Sequence, residues 1–283
     1  DLRLTPPFVE NIVLNIDEEH LDFYSNFEAV CNEFSIFAAQ TSGTLFYCAD
    51  DSRLADLYSG QPQVVTFGFD TTADYRAEIQ PDHSFIVWRG EARLGEFTIR
   101  LFGEKNVSNA VATIAFLHHN GFSAAEIANA VAGFHGVERR QQEIFHDERF
   151  RIFDDYGHHP REITATLRAI KEQCGGRLVV AFQPHRYSRT QHLLSEFAES
   201  FGDADLLWVT EVYAASETPI ADVNGQRLAA AISNQGQPAG YVASLEVLRE
   251  KMRAALLPGD VVVFIGAGDI TRVAYELAGD LKR

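Results

Sequence analysis

The second half of the chain alternates with little variation between short apolar runs and longer amphipathic stretches. The runs are "RFRIF" (149–153), "RLVVAF" (177–182), "DLLWVT" (205–210), "GYVAS" (240–244) and "DVVVFI" (260–265), and helical patterns follow from Pro160, Thr190, near Arg227, Leu245 and Asp269. Five strands each followed by a helix predict a parallel sheet covered on both faces, because parallel neighbours need crossover connections and those are right-handed. The first half is less regular. "NIVLNI" (11–16) reads as a buried strand ending in the acidic turn "DEEHLD", and Phe27, Val30, Cys31, Phe34, Phe37 and Ala38 then recur at helical spacing. The β-rich runs "TLFYC" (44–48), "QVVTFGF" (63–69), "SFIVWRG" (84–90) and "EFTIRLFG" (96–103) predict further strands, partly antiparallel. One helix is expected over 106–120, stopped by Gly121, and another is opened by Ser123 with Glu126 as a capping box. The change of pattern divides the chain into domains 1–141 and 142–283.

Composition narrows the class. With 283 residues and 46% of them hydrophobic, the chain can bury two cores. Its formal charge of −16 argues against a sequence-independent nucleic-acid binder, which needs a cationic face. Cys31, Cys48 and Cys174 are odd in number and widely spaced, which suggests neither a disulfide framework nor a zinc site and fits a reducing cytoplasm. No apolar run approaches the roughly 18 residues of a membrane span, so no membrane insertion is expected.

Ligands of an open parallel sheet sit beyond the carboxyl ends of its strands. There the sequence places "DDYGHHP" (154–160), "QPHRYSR" (183–189) and "EVYAASETP" (211–219), whereas the last strand is followed by the small "GAGD" (266–269). Arg186 and Arg189 suit a carboxylate or phosphate, since a guanidinium offers paired donors and stays charged; two solvated surface arginines are the plain alternative. His158 and His159 are adjacent and cannot easily point at one ion, so they read as orienting a substrate or capping the helix from Pro160. His20, among Asp17, Glu18, Glu19 and Asp22, reads either as a paired surface histidine or as a magnesium ligand. Arg139 and Arg140 stand at the domain boundary, where a cation can close over a phosphoryl group, or they are linker charges. Asn106 reads as the N-cap of its helix and Asn109 lies about a turn further on. No GxxxxGK[ST] phosphate loop is present, and "GAGDIT" is only half of a dinucleotide fingerprint.

Taken together, "NIDEEHLDFYSNFE", "GEKNVSNAVATIA", "DDYGHHPREI", "FQPHRYSRT" and "EVYAASETPI" resemble the Mur ligases in order and spacing, over the whole chain. The last three resemble most the members that join L-alanine to UDP-N-acetylmuramate. The resemblance implies an α/β chain, with an incomplete central ATPase-type domain over 1–141 and a Rossmann-like ligase domain over 142–283. It implies an ATP-dependent amide synthesis in peptidoglycan assembly: the muramate carboxylate is phosphorylated and the alanine amine attacks the acyl phosphate. Cell-wall biogenesis, cell shape and cell division are then its setting, with ATP and Mg²⁺ as cofactors and UDP-N-acetylmuramate and L-alanine as partners. By matching position, His20 is the expected magnesium ligand, Asn109 the adenine contact, Arg140 the arginine near the γ-phosphate and Asp155 the ribose contact. Tyr156, His158, His185, Arg186 and Arg189 are expected around the amino acid, with Arg140, His158 and His185 as the candidates for catalysis. The family's UDP-binding domain and phosphate loop would precede Asp1, so the chain is expected to be inactive alone. The readings set against this are a ligase of the same family that attaches a recycled tripeptide, a non-catalytic Rossmann-like module, and a histidine-based metal hydrolase.

Overall fold

The computed structural model describes residues 9–17 and 24–282. Its contacts separate two units, Asp1–Arg100 with Glu104–His135 and Leu101–Gly103 with Gly136–Arg283. In the first, six strands among the described residues lie in chain order: β1 (Asn11–Val13), β2 (Leu45–Cys48), β3 (Val64–Gly68), β4 (Tyr75–Ile79), β5 (Phe85–Arg89) and β6 (Ala92–Phe97). β1 to β4 pair in parallel and β4 to β6 are antiparallel, the mixed sheet that the β-rich runs predicted. β4 was not among the predicted strands.

The run "EFTIRLFG" is displaced from its expected place. The strand begins at Ala92 because a two-residue turn, with Gly90 at φ 54°, pairs Arg89 with Ala92 and thereby fixes the hairpin register. Residues after Phe97 leave the sheet. The helices are α1 (Phe27–Ala39), α2 (Ser52–Tyr58), α3 (Glu104–His119) and α4 (Ala124–Gly133). The capping box of Ser123 and Glu126 opens α4 as expected. α3 starts two residues before its expected first turn, so Asn106 is its third residue and not its cap.

The second unit holds β7 (Gln142–His146), β8 (Phe150–Asp155), β9 (Leu178–Phe182), β10 (Leu206–Thr210), β11 (Ala239–Val242) and β12 (Asp260–Ile265), in the order β11-β10-β9-β12-β8-β7. The five predicted strands are all present and parallel; β7, which pairs antiparallel at the edge, was not predicted. Along β12 the side chains alternate between two cores, Val261, Val263 and Ile265 in one and Val262 and Phe264 in the other. The strand is therefore buried on both faces, and the period of two is read by two sets of helices. α5 (Pro160–Cys174), α7 (Leu194–Glu199) and α8 (Gly225–Asn234) contribute Ile163, Phe197 and Leu228 to the first core; α9 (Leu245–Ala255) and α10 (Ile270–Leu281) contribute Leu248 and Val273 to the second. A short α6 (Tyr187–His192) links β9 to α7. All three cysteines are unpaired. Among the described residues no helix is long and apolar enough to cross a membrane.

Candidate functional site

β12 lies between β8 and β9, so the chain skips one position between two consecutive strands and later fills it. That is where a crevice forms at the carboxyl edge of a parallel sheet. The inserted strand is followed by Gly266, Ala267 and Gly268, and small residues are required there: a Cβ on Gly268 would come within 2.7 Å of the Tyr213 ring. Over this low floor the polar ends of β8, β9 and β10 meet as a row of rings. Tyr156 stands edge-on to His158 with centroids 5.6 Å apart, His158 and His185 are 6.0 Å apart, and His185 stacks on Tyr213 at 5.5 Å and 12°. The backbone fixes the last pair, since Arg186 N–H donates to the Tyr213 carbonyl and Tyr213 N–H to the Pro184 carbonyl, each at 2.8 Å.

Cations flank the row. Arg140 lies over Tyr156, its guanidinium carbon 5.6 Å from the ring centroid, and 3.7 Å from Glu162. Arg189 reaches back one helical turn to Nδ1 and the carbonyl oxygen of His185, both at 3.4 Å. Among the described residues the half-buried Arg189 has no carboxylate partner. Arg186 occupies the N-cap position of α6 with φ 71°, a left-handed conformation unfavourable for a non-glycine residue. Its neighbour Glu217 accepts from Ser188 N–H at 3.0 Å and from the Ser188 hydroxyl at 2.5 Å, which ties the loop after β10 to α6.

Burial and these cations act together on His185. Desolvation chiefly, with Arg189, His158 and Arg186 adding repulsion, lowers its pKa from 6.5 to about 4. The ring is thus neutral at pH 7. Titrating the ring by NMR is expected to show a midpoint near 4, and a midpoint at 6 or above would mean that the ring is not shielded in this way. The sign for stability follows: the unfolded chain takes up this proton first, so the residue's contribution is complete above about pH 6.5 and is lost as pH falls towards 4.

Glu162 is also lowered, and being an acid it keeps its charge. Burial alone would raise it, but the backbone N–H groups of His158 and His159 (3.0 and 3.2 Å) and the charges of His158 and Arg140 leave it lowered and ionised. Asp155, 3% exposed, is raised by burial although it accepts from Gln141 N–H and Gly157 N–H, both at 2.8 Å. Its carboxylate faces the chain rather than solvent.

The structure thus brings Tyr156, His158, His185 and Arg189 into one row, with Arg140 beside it and Arg186 at the turn below. Asn109 is exposed on the second turn of α3, its carbonyl accepting from the Thr113 hydroxyl. His20 lies outside the described residues. Three participants were not singled out in the sequence: Tyr213, Glu217 and Glu162. The first two sit inside the "EVYAASETP" string, and the third is signalled by Pro160 at the first helical position with a glutamate two residues later.

Comparison with known proteins covers both units. Residues 4–117 match the Mur ligase middle domain, and residues 139–268 match the Mur ligase glutamate ligase domain. A UDP-N-acetylmuramate–L-alanine ligase from Geotalea uraniireducens is 39% identical over 99% of this chain, which spans 63% of that relative's length. The crystal structure of a UDP-N-acetylmuramate–alanine ligase from Thermotoga maritima superposes with a TM-score of 0.79 at 28% identity, over 97% of this chain and 60% of the other. A murein peptide ligase from Psychrobacter arcticus shares the fold at a TM-score of 0.65 and 21% identity, over 99% of this chain and 58% of the other.

Proposed function

Because this chain belongs to the Mur ligase family, we propose that its ring-lined crevice is the amino-acid side of an ATP-dependent ligase that joins L-alanine to UDP-N-acetylmuramate in peptidoglycan synthesis. One observation carries this reading: a half-buried arginine without a carboxylate partner among the described residues, beside a histidine held neutral. A guanidinium in that state is a receptor for an external carboxylate. Arg189, with Arg186 one turn before it, would hold the carboxylate of the amino acid. His185 adds no positive charge at pH 7, so it orients and lines the site and does not compete with the arginines for the anion.

Bond formation requires the amine to meet an activated carbonyl whose phosphoryl oxygens carry the developing charge. Arg140, extended over Tyr156 and steadied by Glu162, is the cation that would meet those oxygens. ATP supplies the phosphoryl group, and magnesium the further neutralisation of its oxygens. His20, proposed for that ion, is outside the described residues; among the described residues no group of three or more His, Cys, Asp or Glu side chains is arranged for a metal. Asp155, whose carboxylate accepts from Gln141 and Gly157 N–H, remains the proposed ribose contact, and Asn109 the proposed adenine contact on α3. The protein is proposed to act in the cytoplasm, where its nucleotide substrates are.

The test is phosphate release by the native enzyme at its full length, rather than by residues 1–283 alone, given ATP, UDP-N-acetylmuramate and an amine. Release is expected with L-alanine and not with a murein tripeptide; preference for the tripeptide would transfer the site to the recycling ligase, and no release with either would overturn the ligase reading.

A further inference from the structure

Arg139 and Arg140 are adjacent in sequence and both lie over the Tyr156 ring, their guanidinium carbons 4.9 and 5.6 Å from its centroid, but they are held differently. The Arg140 side chain is 53% exposed, whereas that of Arg139 is 23% exposed and surrounded by partners. Nη2 of Arg139 donates to the carbonyl oxygens of Gly266 and, at 3.2 Å, Gly268. Its Nε lies 3.6 Å from the carboxylate of fully buried Asp154, which accepts from the Thr271 hydroxyl at 2.6 Å. A single guanidinium therefore links the turn to β8, to the end of β12 and to the start of α10.

The backbone of the turn is fastened as well. Arg139 N–H donates to the Gln142 side chain at 2.9 Å, Gln141 N–H to Asp155 at 2.8 Å, and Tyr156 N–H to the Arg139 carbonyl at 2.6 Å. Both flanking residues are left-handed, Arg139 at φ 58° and Gln141 at φ 46°. Such a conformation is unfavourable without glycine and persists only where surrounding contacts impose it. Arg140 sits between them.

We propose that Arg139 is a positioning residue: anchored on Asp154 and on the carbonyls of Gly266 and Gly268, it holds the left-handed turn that aims Arg140 over Tyr156 at the phosphoryl group. This rests on the role given to Arg140 above. The competing view is that Arg139 only neutralises Asp154, for which a lysine would serve. A lysine keeps the charge but loses the planar fork that reaches a carboxylate and two carbonyls at once.

Arg139→Lys is therefore measured with and without Arg140→Ala in the native protein. Alone, it is expected to lower kcat for phosphate release about ten-fold; on the Arg140→Ala background it should cost less than about two-fold, since residues acting through one another are not additive. Equal losses on both backgrounds, or an unchanged kcat, would overturn the proposal. A second measurement needs no activity. Hydrogen exchange at the amides of Gln141 and Tyr156 in this chain is expected to accelerate about ten-fold in Arg139→Lys while Val262 and Val263 keep their protection. Unchanged exchange at Gln141 and Tyr156 would refute the anchor. If the full-length native enzyme releases no phosphate, the ligase reading fails, and the exchange measurement still decides for or against the anchor.

Discussion

Arg189→Ala is expected to lower kcat/KM for the amine substrate about 100- to 1,000-fold, because truncating one partner of a buried charge pair in a complex typically costs 2–5 kcal/mol. The loss should fall on the amine substrate while the KM for ATP is unchanged. The substitution is also safe for the fold. Arg189 has no carboxylate partner among the described residues, so its removal strands no buried anion, and its contacts to His185 are both long, at 3.4 Å. A second readout is independent of turnover. Arg189 is the largest charge contribution lowering the pKa of His185, so the ring's midpoint should rise above its value of about 4 in the variant. Full activity with L-alanine in Arg189→Ala would remove the carboxylate clamp from the mechanism, and an unmoved His185 midpoint would show that the two side chains are not in contact.

Gly225→Ala is expected to destabilise the second unit by about 3 kcal/mol, which for a unit of this size lowers the melting midpoint by roughly 10 °C. Gly225 is the first residue of α8, where helix propensity alone would favour alanine by about 1 kcal/mol. Sterics decide otherwise. A Cβ there would sit against the Thr210 carbonyl, 2.8 Å from its carbon and 3.1 Å from the Tyr241 ring. Thr210 ends β10, which is paired on both sides, and the Gly225 N–H is held at 3.0 Å by Glu211, whose other oxygen accepts from the Tyr241 hydroxyl at 2.7 Å. Neither strand nor helix can retreat without breaking these bonds. Gly279 supplies the contrast: it lies within α10 with open space around its would-be Cβ, so Gly279→Ala should stabilise by about 0.5–1 kcal/mol. Equal melting midpoints for the two variants would sink the argument from close packing.

Periodicity and strand-end chemistry were legible because they are local. An apolar run such as "DVVVFI" states by itself that both faces of a strand are covered, and the residues immediately after "VVAF" state what that strand presents at its tip. The capping box at Ser123 is equally local. β7 was less legible, since "QEIFH" carries few apolar residues and becomes a strand through pairing with β8, whereas "YRAEI" does alternate apolar and polar positions and β4 was overlooked because the pattern spans only five residues. The start of β6 was set by a turn rather than by its own apolar pattern.

The amino-acid sequence by itself determined the α/β character of the chain, the five parallel strands of its second half and the polar strings at their tips, because each depends on residues only a few positions apart. Tertiary structure alone decided that β12 would enter between β8 and β9, that Arg139 would be clamped while Arg140 stays exposed, and that His185 would stack on Tyr213 and lose its charge. These outcomes depend on burial and on partners 28 to 129 positions away, such as Tyr213 for His185 and Gly268 for Arg139. Desolvation and charge are properties of a place in space, and a linear chain specifies that place only once it is folded.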